Sequence, residues 1–374
     1  MSRVSIVRCY SYERSEVEER VRQAVAMVGG FAVYMQPGEK VLLKPNMIGP
    51  LPPGQGVTTH PEVVRAVIRG CQEAGAEVWV GDSPAFGSTA MVAAVCGIRA
   101  VCEETGARLV SFDVIREVPF AEGRVAKRFL LAEAVVAADK VISLAKMKTH
   151  ALTLYTGAVK NLYGTIVGME KSRLHFTYQT PTEFARLLVD LYGAVRPVLS
   201  LVDGVVAMEG EGPRGGPLRR GNLLLAGDDA MAVDAVAATT MGLAPKMVPF
   251  LAEAAAQGLV SLDLSGIEMA GLTLEEARIP GFVLLPAPRK TNFPRWLDDF
   301  ARKHLTARPV IIPELCQACN ICAKNCPAQA VHMERGHAVI DSSQCIRCYC
   351  CQEVCPQGAV KLRRSLIGSL LRWR

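Results

Sequence analysis

The chain has 374 residues, of which 50% are hydrophobic, 6% aromatic and 21% charged, with a net charge of +6. This apolar content excludes an intrinsically disordered chain, and the composition excludes collagen-like and coiled-coil proteins. No segment reaches the ~18 apolar residues of a membrane-spanning helix, and the N-terminus lacks the uncharged core of a signal peptide. We therefore expect a cytoplasmic protein of two or three domains.

The basic excess is confined to two segments. Residues 289–308 carry six basic and two acidic side chains, and residues 361–374 carry five basic side chains and none that are acidic. A nucleic-acid-binding protein would instead carry a basic stripe on a folded domain. We therefore expect no nucleic-acid partner.

Short apolar runs alternate with helical patterns over residues 1–288. The predicted strands are 2–9, 40–44, 77–81, 140–144, 198–202 and 223–226. The predicted helices are 16–28, 61–74, 129–138, 182–194 and 230–241, and Asp228 and Asp229 are candidate caps for the last of them. This alternation predicts an α/β fold, a mostly parallel sheet with helices on both faces.

Two segments of this domain read as long loops. Residues 46–60 and 203–221 are rich in glycine and proline, which is typical of lids, ligand cradles and connectors. The second holds Gly210, Gly212 and Gly215 at the spacing of a dinucleotide-binding fingerprint, but no strand leads directly into it and Pro213 removes a backbone donor. A lid is the better interpretation, with Glu209 as an acid, a base or a metal ligand.

Polar side chains follow four predicted strands, where ligands of open α/β sheets bind. They are Lys44 and Asn46, Asp82 and Ser83, Lys146, Lys148 and His150, and Asp203. Lys146, Lys148 and His150 point to one side if this segment stays extended, and a predicted helix in 157–164 adds Lys160 and Asn161. Such a group would bind phosphate or carboxylate; the alternative is a solvated basic edge that blocks aggregation.

We assign provisional roles to these residues. Lys148, His150, Asp82, Asp203 and Glu209 are predicted to be catalytic, through proton transfer or metal binding. Lys44, Asn46, Ser83, Lys146, Lys160 and Asn161 are predicted to bind the ligand.

The cysteines mark a second domain, over residues 309–360. Nine of the 13 cysteines lie between Cys316 and Cys355, and eight of these form the run C-x2-C-x2-C-x3-C-P twice, 29 residues apart. This is the spacing of bacterial two-cluster ferredoxins, in which the fourth cysteine of each run binds the other cluster. The domain resembles those ferredoxins and is predicted to hold two 4Fe-4S clusters.

The spacing assigns the ligands of each cluster. Cys316, Cys319, Cys322 and Cys355 are predicted to bind one cluster, and Cys345, Cys348, Cys351 and Cys326 the other. Zinc is the alternative, since paired CxxC motifs also bind zinc. Cys350 is a spare thiol packed near the cluster or an alternative ligand after oxidative damage. Between the two motifs, segments 330–333 and 338–341 are predicted to be short strands on either side of a turn at Arg335 and Gly336.

Residues 3–285 resemble the family known as domain of unknown function 362. The resemblance rests on VLLKPN (41–46), VGDSP (80–84), the block from Lys146 to Gly164 and the segments 201–216 and 226–238. Members are often fused to a ferredoxin module, and the fold is distantly similar to the N-terminal domain of nickel-pincer lactate racemases. The resemblance implies architecture and no settled reaction.

Two basic segments flank the cysteine domain. Residues 289–308 read as a linker with a short helix at 294–304. Residues 361–374 read as an amphipathic tail that contacts an anionic membrane surface, the first domain or an acidic partner.

These features support three hypotheses. In the first, the ferredoxin module relays single electrons to or from an α/β domain that binds a small anionic or phosphorylated ligand, with a redox partner protein or a small-molecule acceptor. In the second, the chain is an electron carrier or a cluster-delivery accessory that docks on another oxidoreductase. In the third, the α/β domain is a racemase or isomerase with regulatory clusters. A flavin or an additional metal is compatible with the sequence, but no motif shows its site.

Overall fold

The computed structural model describes residues 1–286 and 306–363, and it shows one large mixed sheet and a small module. The strands of residues 1–286 are β1 (Ser2–Arg8), β2 (Lys40–Pro45), β3 (Glu77–Val80), β4 (Arg108–Leu109), β5 (Ile115–Pro119), β6 (Arg128–Ala132), β7 (Lys140–His150), β8 (Leu154–Thr156), β9 (Leu199–Met208), β10 (Leu218–Gly227) and β11 (Ile267–Gly271). The helices are α1 (Arg14–Ala26), α2 (Pro61–Glu73), α3 (Thr89–Val95), α4 (Ile98–Thr105), α5 (Glu133–Ala137), α6 (Ala158–Asn161), α7 (Glu170–Thr177), α8 (Pro181–Val195), α9 (Ala230–Thr240) and α10 (Pro249–Ala256).

The large sheet has the strand order β11-β1-β10-β9-β7-β2-β3-β4, with β8 paired to β7. Most neighbouring pairs are parallel, and β10 is antiparallel to both β1 and β9. The predicted mostly parallel α/β fold is confirmed.

Helices cover both faces of the sheet because its strands are apolar on both sides. In β2, Leu42 contributes to the core on one face, whereas Val41 and Leu43 contribute to the core on the other. The α8 helix begins with a capping box in which Thr180 and Glu183 satisfy each other's backbone N–H groups. The Asp229 carboxylate caps α9, as the sequence predicts.

Two predicted elements are wrong. The helix predicted at 129–138 is a strand, β6, followed by the short helix α5, because residues 128–132 pair with β5 in a hairpin. The loop predicted at 203–221 is largely a hairpin of β9 and β10, with residues 209–217 as its turn. The many glycines of this segment led us to predict a loop. Residues 205–208 are nevertheless apolar, and they pair with the start of β10.

The β7 strand is longer than predicted. It runs from Lys140 to His150 and includes the polar segment that we placed after its end. Its register against β9 shifts between Lys146 and Lys148. On either side of this shift, Lys146 and Lys148 contact different partners, Asp203 and Asn46 respectively.

The small module spans residues 306–363. Its strands are β12 (Arg308–Ile311), β13 (Val331–Glu334), β14 (His337–Ile340) and β15 (Val360–Arg363), and its helices are α11 (Ile321–Lys324) and α12 (Cys350–Val354). The predicted turn at Arg335 and Gly336 joins β13 and β14, and both residues have positive φ. The first three residues of the predicted tail belong to β15. The predicted linker helix and the rest of the tail lie outside the described residues.

The α12 helix holds the module against the large sheet. The Gln352 side chain donates to the backbone oxygen of Glu211, and Arg214 donates to the backbone oxygen of Glu353. From the other motif, the Asn325 carbonyl accepts a hydrogen bond from Ser172 in α7.

Candidate functional site

The eight motif cysteines surround two small cavities in the module. The first cluster site is lined by Cys316, Cys319, Cys322 and Cys355. The second cluster site is lined by Cys326, Cys345, Cys348 and Cys351. Each therefore joins three cysteines of one motif to the fourth of the other, which are the two sets that the spacing predicts.

The two motifs have the same backbone conformation. Ala318 and Asn320, which flank Cys319, have φ values of 52° and 61°, and Arg347 and Tyr349, which flank Cys348, have φ values of 57° and 63°. Left-handed residues on both sides of the central cysteine curl each loop around its cavity.

Backbone N–H groups point at the sulfur atoms of both sites. The amide of Ala330 donates to Cys326 Sγ and the amide of Ala359 donates to Cys355 Sγ, both at 3.2 Å. Within residues 1–286 and 306–363, no group of three or more His, Cys, Asp or Glu side chains is placed to hold a single metal ion. Thiolate sets that line a cavity instead of converging on one point fit clusters better than zinc.

The polar strand ends form three groups. In the first, the Lys44 ammonium forms a buried ion pair with Asp82 at 2.8 Å and donates to Asn161 Oδ1 at 2.8 Å. Asn161 in turn donates to the backbone oxygen of Lys44 at 2.8 Å and to Ser143. Burial lowers the pKa of Lys44, and the Asp82 carboxylate opposes that shift.

The second group is closed on itself. Lys146 donates to Asp203 at 2.8 Å and to the Tyr12 hydroxyl at 2.6 Å, and Tyr12 donates to the other oxygen of Asp203 at 2.7 Å. The His60 ring stacks on Tyr12 at 3.6 Å. Every charge here has a partner inside the group, so the arrangement fastens the N-terminal segment to the sheet edge.

The third group lies further along β7. The Lys148 ammonium donates to Asn46 Oδ1 and to the Val57 carbonyl, both at 2.8 Å. Burial, followed by the charge of Lys160, lowers the pKa of Lys148 to about 7. His150 Nδ1 accepts from the amide of Leu152, so its proton lies on Nε2, which is 2.8 Å from a carboxylate oxygen of Glu353 in α12.

One larger cavity, of about 90 Å³, lies between the sheet edge and the module, and we call it the interdomain cavity. Six of the eleven residues predicted in the α/β domain line it: Lys44, Asn46, Asp82, Ser83, Lys160 and Asn161. The other five do not, namely Lys146, Lys148, His150, Asp203 and Glu209. Glu209 is instead the acceptor for the Val283 amide at 2.9 Å.

Lys160 brings to this cavity a positive charge that forms no ion pair in the described part of the chain. Its side chain is 8% exposed, and in the described part of the chain no hydrogen bond or ion pair holds its ammonium group. The ammonium lies over the rings of Tyr163 and Phe184, at 4.9 and 5.8 Å from their centres. An ammonium that contacts only aromatic faces can still bind an anion.

Sequence reasoning missed several residues of the interdomain cavity, among them Lys171 and His175. Lys171 donates to the Ser83 carbonyl and hydroxyl at 2.6 and 2.8 Å and to the Pro84 carbonyl at 3.0 Å. Burial lowers the pKa of Lys171 to about 7. His175 is buried, and burial lowers its pKa to about 3. Neither follows a strand, so no positional signal singled them out.

Cys350 lies in the wall between the interdomain cavity and the second cluster site. Its side chain lines both. Asn325, which precedes the predicted ligand Cys326, also lines the interdomain cavity. A ligand in this cavity is therefore one side chain away from the second cluster site.

Comparison with known proteins agrees with this architecture. The family model described as domain of unknown function (DUF362) matches residues 41–239, and the 4Fe-4S dicluster domain matches residues 308–356. The chain belongs to the DUF362 family. A curated relative, the thylakoid-associated protein sll1697 of Synechocystis sp., is 36% identical over 315 residues, which cover 81% of this chain and 97% of the relative.

Two solved structures are weakly similar to part of the DUF362 chain. They are the lactate racemase apoprotein of Thermoanaerobacterium thermosaccharolyticum, with a TM-score of 0.38, and a protein from Thermotoga maritima, with a TM-score of 0.35, both at 12% identity. The matches cover 56% and 57% of this chain, and 51% and 55% of those chains. The chain thus spans about half the length of each solved structure.

Proposed function

We propose that this iron–sulfur protein is a redox enzyme in which a small anion binds in the interdomain cavity and exchanges single electrons with the module. The observation that carries the proposal is the position of Cys350, which lines both the cavity and the second cluster site. Clusters bound by the eight cysteines supply one-electron transfer. Because four cysteines per cluster leave no open iron, the substrate has to bind elsewhere. The interdomain cavity is suited to this because only the wall at Cys350 separates it from the second cluster site.

The cavity residues have separate tasks in this proposal. Lys160 binds the anion, since its charge has no other partner in the described structure. Asn161 holds Lys44, and Asp82 neutralises it. Lys171 Nζ, with a pKa of about 7, is the group in the cavity that most readily releases or takes up a proton near neutral pH.

The proposal is tested by reoxidation of the reduced protein. Oxygen-free protein with both clusters is reduced, freed of reductant and mixed with a panel of small anions, and the visible absorption of the clusters is followed. We expect at least one anion to reoxidise the protein and Lys160→Gln to lower that rate at least tenfold. Lys246→Gln, which removes an exposed lysine outside the cavity, should have no effect. Equal rates in all three proteins would refute the proposal.

A second function is favoured by the exposure of Cys319. This cysteine of the first cluster site is exposed, whereas Cys322 and Cys355 of the same site are buried. The exposed side faces a partner, so the chain also fits an electron carrier that docks on another oxidoreductase. Co-purification of a stoichiometric redox partner, together with no reaction of the isolated protein with small anions, would favour this function over the first.

We also propose a peripheral membrane contact through residues 361–374. Five basic residues and an amphipathic pattern support it. The thylakoid association in the name of the Synechocystis relative also supports it. Among residues 1–286 and 306–363, no helix is both long and apolar enough to cross a bilayer. The proposal predicts salt-sensitive sedimentation with anionic vesicles that is lost when residues 364–374 are deleted.

A further inference from the structure

We infer that the ligand of the interdomain cavity is a small oxyanion with a single negative charge, bound through Lys160. This inference rests on the proposed function for its site and narrows the class of ligand. It favours monoanions, such as monocarboxylates, over the phosphorylated ligands that the sequence also allowed.

The charges of the cavity wall leave room for one negative charge. The ionisable wall residues that carry charge are Lys44, Lys160, Lys171, Asp82 and Glu353. Asp82 neutralises Lys44 at 2.8 Å. With Lys171 protonated, three cations face two carboxylates, so the wall has an excess of one positive charge. A dianion would leave an unpaired buried negative charge, which is strongly unfavourable.

Glu353 does not remove the charge of Lys160. Its carboxylate accepts from His150 at 2.8 Å, on the side of β7. The Lys160 ammonium lies beyond ion-pair distance of this carboxylate.

The size of the cavity also favours a small ligand. Its volume is about 90 Å³, compared with the roughly 150 Å³ of an engineered cavity that holds benzene. A molecule of a few non-hydrogen atoms fits, whereas a flavin ring or a nucleotide does not.

Calorimetric titration of the cluster-loaded protein tests this class without any redox reaction. The probes are acetate, nitrate, malonate and inorganic phosphate. We expect acetate or nitrate to bind at one site and more tightly than malonate and phosphate. Lys160→Gln should weaken that binding at least tenfold, since a charged hydrogen bond is worth ~1.5 kcal/mol or more. Lys160→Arg should retain it, and Lys246→Gln should not change it.

Tighter binding of malonate and phosphate, or no binding of any probe, would overturn the inference. Both outcomes are measured on the unaltered protein. Unchanged binding in Lys160→Gln would also overturn it. If acetate or nitrate binds as expected but leaves the spectra and potentials of the clusters unchanged, the ligand class stands and the proposed redox function fails.

A different observation carries a second inference: the structure assigns Arg214 as the countercharge of the cluster held at the first cluster site. Arg214 lies in the turn between β9 and β10 and is 8% exposed. Its Nη1 donates to the backbone oxygen of Glu353 at 3.3 Å, and Nη2 is buried with no partner among the described atoms. None of the described carboxylates forms an ion pair with it.

The surroundings of Arg214 point to the cluster site. Its guanidinium lies over the Phe86 ring at 5.2 Å. Phe86 packs against the core that contains Cys322 and Cys355 of the first cluster site and Cys351 of the second. Burial lowers the pKa of Arg214 to about 10, and the Cys355 thiolate opposes that shift. Arg214 is therefore charged at neutral pH, and the acidic group that acts on it is a predicted cluster ligand.

The turn that carries Arg214 is held firmly. The amide of Gly210 donates to the Val283 carbonyl at 2.8 Å, and the amide of Gly212 donates to Thr149 Oγ1 at 3.2 Å. A Cβ at Gly212 would lie 2.3 Å from the backbone oxygen of Thr149, so only glycine fits there. A buried unpaired guanidinium is costly, and a negatively charged cluster beside Cys355 offsets that cost. A fixed positive charge also favours the reduced cluster and raises its reduction potential.

Redox titration of the whole protein, monitored by paramagnetic resonance, tests this assignment. Arg214→Gln should lower the potential of one cluster and leave the other nearly unchanged. Arg214→Lys should lower that potential much less than Arg214→Gln does. Arg335 is an exposed arginine of the module, and Arg335→Gln should change neither potential. Unchanged potentials in Arg214→Gln at full iron content would overturn the assignment. If Arg214→Gln loses one cluster, retention of both in Arg214→Lys supports the countercharge role, and their loss there refutes it.

Discussion

Individual side chains determine the chemistry of the interdomain cavity through burial. Lys160 and Lys171 are both buried, but their surroundings differ: Lys160 contacts aromatic rings, whereas Lys171 contacts three uncharged oxygens of Ser83 and Pro84. Lys160 was predicted as a ligand residue because it follows a basic strand end. Lys171 was not, because its burial results from contacts that are distant in sequence.

Anion binding in the cavity should weaken as the pH rises through about 7. The ammonium form of Lys171 attracts an anion and its amine form does not, and burial lowers its pKa to about 7. The wall also contains Lys44, Asp82, Lys160 and Glu353. His175 is neutral in this range because its pKa is about 3. Titration of acetate from pH 6 to pH 8 should show the affinity fall, and Lys171→Met should bind more weakly with a flatter pH profile. A flat profile in the unaltered protein would contradict this.

At the level of elements, short helices carry the site. The α6 helix, which holds Lys160 and Asn161, has four residues, too few to be stable alone. Asp234 in α9 fixes its start by accepting from the amides of Ala158 and Val159 at 2.7 and 2.9 Å. The sequence predicted α9 and its Asp229 cap correctly because caps are local signals. The contact of Asp234 with α6 joins residues 76 positions apart and could not be predicted.

Asp234→Ala should therefore impair both stability and anion binding. The substitution leaves two helix amides and the Tyr155 hydroxyl without their acceptor, which costs ~3 kcal/mol of unfolding free energy. Asp190→Ala is the matched control, since Asp190 is also buried and accepts from the amides of Arg124, Val125 and Ala126. Denaturant unfolding should show a similar loss in both, and calorimetry should show weaker acetate binding in Asp234→Ala alone. Full acetate affinity in Asp234→Ala would show that α6 needs no such support.

At the scale of the whole molecule, the site exists only where two parts of the chain meet. Cysteine spacing predicted both sets of four because ligands of one cluster repeat at fixed separations. Strand-end reasoning found four residues of the cavity wall, because carboxyl ends of parallel strands lie at one edge. The predicted helix at 157–164 added two more, Lys160 and Asn161. Strand-end reasoning also included Lys146 and Asp203, which the register shift in β7 and the Tyr12 hydroxyl hold in a separate group. The wall contributed by Cys350 depends on how the module docks.

The central claim is that a ligand in the interdomain cavity lies beside the second cluster site. Electron–nuclear double resonance of the reduced protein with ¹³C-labelled acetate measures this directly, because hyperfine coupling falls steeply with distance. We predict a ¹³C coupling to a reduced cluster that disappears in Lys160→Gln and persists in Lys246→Gln. Acetate that binds, by calorimetry, without any ¹³C coupling to either cluster would contradict the account.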